Sequence, residues 1–112
     1  MNVENQSAGY DPNKSQVSDQ KLATLLTEEL DENLLTIPGI GQKTAEKLQG
    51  EGIQTTYQLI GHFLTFKGVG ENSQVHCNKM WEWMRDIGIN QYRSGIIYCL
   101  VEKCEILMPG LY

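Results

Sequence analysis

The chain has 112 residues, 40% of them hydrophobic, which leaves room for one domain with a modest core. Its longest apolar run near the C-terminus, Gly95 to Val101, falls far short of the ~20 residues a bilayer span needs. The start, Met1-Asn-Val-Glu-Asn-Gln-Ser7, has neither the basic nor the apolar region of a secretory signal, so an intracellular, soluble protein without membrane insertion is expected. The formal charge is −5: seven carboxylates and two lysines fall in residues 1–34, and seven groups of each sign cancel over 35–112. Attraction of a polyanion by a bulk positive field is therefore excluded, and any such partner would need a local anion site.

Residues 1 to 16 are polar, contain Gly9 and Pro12 and show no apolar period, so a disordered tail is expected there. Ser18 suits the N-cap of a helix running to Leu30, with Leu22, Leu25, Leu26 and Leu30 at helical spacing. Asp31-Glu32-Asn33 ends it. A short helical turn at 34–36 leads into Pro38-Gly39-Ile40-Gly41, and a helix follows from Gln42 to Gln49, closed by Gly50 and Gly52. Thr55 opens a further helix reaching residue 66. The Lys67–Ser73 stretch is a loop; its Gly68-Val-Gly70 lacks the Lys-Ser/Thr of a phosphate loop. Helices over 74–87 and 90–107 complete the chain, stopped by Gly88 and by Pro109-Gly110. No stretch alternates with period two, so the fold class is all-α, a compact domain over residues 17–112. Cys77, Cys99 and Cys104 are odd in number and lack the paired spacing of a zinc site. They are expected to be buried apolar residues, with no metal or cofactor.

The chemistry concentrates in Leu34…Ile37-Pro-Gly-Ile-Gly41…Ala45…Leu48…Gly52-Ile53. Two glycines allow positive φ and keep side chains out of the way of an approaching partner. The amides of Gly39, Ile40, Gly41 and the first helical residues, Gln42 among them, lack intrahelical acceptors and lie at the positive end of a helix dipole. That combination is a phosphate site. Lys43 and Lys47, one turn apart, are expected near the same phosphate run, and Ile37 and Ile40 in the core. Such contacts touch no base edge, so the expected partner is double-stranded DNA bound without regard to sequence. The plainer reading, a tight turn between two helices, accounts for Gly-x-Gly alone but not for the whole pattern.

This stretch resembles the helix-hairpin-helix motif of DNA repair and replication proteins. The residues C-terminal to it narrow the likeness: Gly52-Ile53, Tyr57, Leu59-Ile-Gly-His-Phe-Leu64 and Lys67, then Trp81-Glu-Trp-Met-Arg-Asp86 and Cys99-Leu100 with Glu102 and Cys104. Taken in order, the chain is similar to the barrier-to-autointegration factor family over Ser18 to Leu107. The resemblance implies a five-helix domain with a helix-hairpin-helix, SAM-like core, and a two-fold homodimer with one DNA site per subunit. Such a dimer bridges DNA in chromatin and nuclear organisation, in nucleus and cytoplasm. It also implies DNA contacts from Gly39, Ile40 and Gly41, from Ser18, Gln20 and Lys21, and from Arg93. Ile53, Gly61 and Thr65 match a surface for LEM-domain proteins of the nuclear envelope. The chain departs from the pattern in its tail, in extra residues between Lys67 and Asn78, and in Lys103, which stands where the family has Trp.

Trp81, Trp83 and Met84 read as core or, for the tryptophans, subunit-interface residues, and His62 as a packed histidine. A phosphate on Ser15 or Ser18 would repel a duplex at the first helix. Three rivals stand beside the bridging dimer: a monomeric accessory domain of a repair or replication assembly, a protein-interaction module without DNA binding, and a lyase using Lys43 or Lys47. The last is disfavoured because both lysines lie on an exposed helix face rather than in a pocket; no enzyme is expected.

Overall fold

The computed structural model describes residues 9–112. Five α-helices follow in order: α1 (Asp19–Thr27), α2 (Gln42–Gly50), α3 (Thr56–Thr65), α4 (Ser73–Asp86) and α5 (Arg93–Leu107), with 3₁₀ turns at Pro12–Lys14 and Leu34–Thr36. Among the described residues there is no strand, and no helix long and apolar enough to cross a membrane.

The centre of the domain is α5, which packs against α1, α3 and α4. Ile96, Ile97, Cys99, Leu100 and Cys104 are almost fully enclosed, so the helix is apolar around most of its circumference. The three cysteines are buried and unpaired, as expected, and burial pushes the Cys77 and Cys99 thiols up to about 12 and Cys104 up to about 11. Among the described residues no His, Cys, Asp or Glu cluster suits a metal.

Two helices end in the same way. After α2, Gly52 at φ +85 donates its amide to the Gln49 carbonyl, and Ile53 donates to Leu48. After α4, Gly88 at φ +90 donates to Arg85 and Ile89 donates to Met84. Both are Schellman endings, each burying an isoleucine just beyond its glycine.

Three features differ from expectation by more than a residue. α1 stops at Thr27 rather than Leu30, because the next carbonyls are drawn elsewhere. Tyr57 Oη donates to Leu30 O, Thr56 Oγ1 to Asp31 O and the Thr56 amide to Glu32 O, tying this segment to the start of α3. α5 starts at Arg93 rather than at 90, because Ile89 belongs to the α4 ending and Tyr92 takes the left-handed conformation (φ 62). Finally, the polar segment read as structureless to residue 16 is docked over its described part. The Tyr10 amide donates to Asn78 Oδ1, Gln74 Nε2 to the Tyr10 carbonyl and the Asp11 amide to Ser94 Oγ. Gly95 is required here, since a Cβ would collide with the Ser15 carbonyl. Residues 1–8 of that expected tail lie outside the described residues.

Lys103 is 4% exposed, and its ammonium donates to the carbonyls of Leu25 and Glu28, each at 2.8 Å. These are carbonyls at the end of α1, where a helix carries partial negative charge. Replacing Lys103→Met keeps the aliphatic bulk and removes both charge-assisted bonds. Chemical denaturation of this variant should show a loss of about 2 kcal/mol; unchanged stability would mean that the ammonium contributes only its stem.

Candidate nucleic-acid interface

Ile37, Pro38, Gly39 and Ile40 form a turn closed by the Ile40 amide donating to the Ile37 carbonyl at 3.0 Å, with Gly39 at φ +95. Proline second and a positive-φ glycine third define a type II turn. Ile37 is 1% and Ile40 5% exposed, so both anchors are in the core as expected. Gly39 is doubly constrained, because a Cβ there would also lie 2.9 Å from Ile96 Cγ1 on α5. Gly41 is different. Its φ is −98 and a Cβ would meet nothing within 4 Å. It is the N-cap of α2 and supplies no side-chain cap, so the first-turn amides are left open.

Hydrogen bonding sorts the hairpin donors. The Ala45 amide is bonded to the Gly41 carbonyl and the Ile40 amide to Ile37, whereas the amides of Gly39, Gly41, Gln42, Lys43 and Thr44 have no acceptor among the described residues. Ile40, expected to be an amide contact, is therefore an anchor whose donor is already used. The free donors belong to its neighbours, and Gly39, Gly41, Gln42 and Lys43 are all exposed.

The start of α1 lies beside this turn. Ser18 caps α1, its Oγ accepting from the Lys21 amide at 3.2 Å. A groove of about 690 Å³ is lined by Ser18, Gln20 and Lys21 on one side and Ile37 to Ile40 on the other, with Glu28, Glu29 and Asp31 also on its wall. A second groove of about 270 Å³ is lined by Ser15 to Ser18, Lys21, Pro38, Gly39, Tyr92 and Gly95. Ser18, Lys21, Pro38 and Gly39 line both.

Two basic residues expected at the site are occupied elsewhere. Lys47 Nζ donates to the Gly88 carbonyl at 2.5 Å, tying α2 to the end of α4. The Arg93 guanidinium lies 3.9 Å from the centre of the Trp81 ring, its Nη1 is enclosed without a hydrogen-bond partner, and it lines neither groove. Lys21 and Lys43 are the exposed lysines that remain beside the free amides. Tyr92 was missed in sequence: it is 56% exposed, in a conformation few non-glycine residues adopt, and its Cβ faces Gly39. A Tyr before a helix carries no local signal of this placement.

The residues matched to a partner surface separate. Ile53 is 6% exposed and serves the Schellman ending of α2, so its side chain is in the core rather than on a surface. Gly61 and Thr65 are exposed four residues apart on α3. Trp81 is buried within its own chain, while Trp83 is half-buried against His62, with ring centres 4.1 Å apart. His62 is packed as expected, and burial holds its pKa below the ordinary value.

The family model described as barrier to autointegration factor matches residues 16–107, more than half of the chain. No curated protein and no solved structure matches it.

The two hairpin glycines should respond differently to a single methyl group. Gly39→Ala is expected to cost about 1–2 kcal/mol from the left-handed backbone alone, with the Ile96 contact adding to it. Gly41→Ala should cost less than about 1 kcal/mol, the loss of a fair N-cap residue. Urea titrations of both variants check this, and equal losses would contradict the turn geometry.

Proposed function

Because the chain belongs to the barrier-to-autointegration factor family, we propose that it binds double-stranded DNA without reading sequence and, as a homodimer, bridges two duplexes or two parts of one. The observation that carries this reading is the run of free amides at Gly39, Gly41, Gln42, Lys43 and Thr44 on an exposed helix start, with no side chain at Gly41 to obstruct a phosphate. A phosphate oxygen there accepts from backbone donors already held in place, so little ordering is needed on binding. Ser18, Gln20 and Lys21 at the start of α1 supply further polar contacts to the same backbone, and Lys21 and Lys43 supply its charge. None of these groups reads a base edge, so no sequence preference follows.

One hairpin is a small contact, and two in one dimer raise avidity through effective concentration. The half-exposed Trp83 beside His62, and Gly61 on the same helix as His62, support α3 and α4 as the surface for self-association. Gly61 and Thr65 on α3 support a LEM-type protein partner as well, without Ile53. The proposed setting is chromatin and nuclear organisation, in nucleus and cytoplasm, with no catalytic step.

Gly41→Glu tests the hairpin better than a change at Gly39, since the Gly41 position is open and the fold should survive. With a random-sequence duplex of about two turns, wild type should bind and weaken as salt rises, while folded Gly41→Glu should lose at least tenfold in affinity. Lys43→Ala should flatten the salt slope by about 1. Strong preference for one sequence, or normal binding by Gly41→Glu, would refute the reading. Two duplexes carrying different labels should be captured together by wild type, whose mass in solution should be that of a dimer.

A further inference from the structure

Away from the hairpin, a pocket of about 270 Å³ has Tyr10, Tyr98, Val101, Glu102, Glu105 and Tyr112 among its lining residues, and it shares no residue with the two grooves. Its wall comes from the docked N-terminal segment, including Pro12, the first turn of α4, the stretch of α5 from Tyr98 to Glu105 and the segment beyond α5. Glu102 and Glu105 lie one turn apart on α5 and have no ion pair among the described residues. Tyr10 is only 7% exposed, yet its hydroxyl has no hydrogen-bond partner among the described residues and is not sealed off from solvent. The Tyr98 hydroxyl is likewise unbonded among the described residues. One cation already stands nearby: Lys67 Nζ lies 5.8 Å from the centre of the Tyr112 ring and donates to the Gly68 carbonyl.

The Tyr112 hydroxyl is taken by His76 Nδ1 at 2.6 Å, so the pocket offers three phenol rings, two carboxylates and the free hydroxyls of Tyr10 and Tyr98, the complement of an alkylammonium ion. The rings, Val101 and Pro12 take the alkyl part. Rings and carboxylates attract the positive charge, and the phenol and carboxylate oxygens accept its N–H bonds. We propose that this pocket binds an alkylammonium group bearing N–H donors, of the kind carried by a lysine side chain or a polyamine. Burial, with repulsion from Glu105 added, holds the Glu102 carboxyl above its ordinary pKa, and an arriving cation offsets that repulsion. Burial, with smaller contributions that include Glu102 at Tyr10 and Glu105 at Tyr112, raises both phenol pKa values and keeps the hydroxyls neutral.

The test is an NMR titration of protein labelled at its tyrosine ring carbons, at constant ionic strength, with n-butylammonium. The signals of Tyr10, Tyr98 and Tyr112 should shift and saturate, while Tyr57 and Tyr92 stay in place. 1-Butanol, of similar shape but uncharged, should produce no saturable shift. In the Glu102→Gln/Glu105→Gln variant, folded and with normal DNA affinity, n-butylammonium should bind roughly three- to tenfold more weakly. Spermidine and N-acetyl-lysine methylamide then identify the source: tighter binding of the first points to free polyamines, and of the second to protein lysines. No saturable shift with any amine, equal shifts with 1-butanol, or undiminished binding in the double variant would overturn the proposal.

Discussion

Gly39 rests against Ile96 with no room for a methyl group, and this close approach of hairpin to α5 governs the rest of the structure. It needs a backbone conformation that side chains disfavour, and it lets Ile37 and Ile40 reach the core on either side. With both anchors buried and the Ile40 amide closing the turn, the remaining donors have one direction left, which is outward. The open amides of α2 are thus the other face of a packing requirement. The α1 start reaches the same place because α1 is held on α5, with its last carbonyls taken by Lys103.

A near-neutral body explains the character of the site. Without a long-range positive field, the proposed contact rests on a few fixed dipoles and two nearby lysines rather than on a basic surface. The larger groove is also asymmetric: Lys21 and the hairpin form one part of it, and Glu28, Glu29 and Asp31 another. Carboxylates repel a polyanion, which is why the proposed contact with a duplex backbone is placed at the hairpin part. This arrangement favours position over strength, and it makes joining two sites in one assembly valuable.

What the sequence disclosed was whatever depends on near neighbours. The five helices, the hairpin and its anchors follow from glycine, proline and apolar spacing within a few residues. What it concealed depends on contacts across long separations. Lys47 reads as a free phosphate ligand until Gly88, 41 residues away, is seen to accept its hydrogen bond. Arg93 reads as a DNA contact until Trp81 is found beneath it, and Ile53 as a surface residue until its glycine turns it inward. Tyr10 lies in a polar stretch with no apolar period, and only Asn78 and Gln74 on α4 explain its docking. Lys103 stands out as a substitution within the family pattern, but its caps on α1 are 75 and 78 residues distant.

On the proposed reading, backbone amides at fixed positions, with Lys21 and Lys43 beside them, hold the DNA backbone. Amide NMR shifts during titration with a short random-sequence duplex test it most directly. The account predicts that Gly39, Gly41, Gln42, Lys43 and Thr44 move downfield together while the Ile40 amide, already bonded to Ile37, moves little. Shifts centred on α3 or α4 with those five unmoved would contradict it.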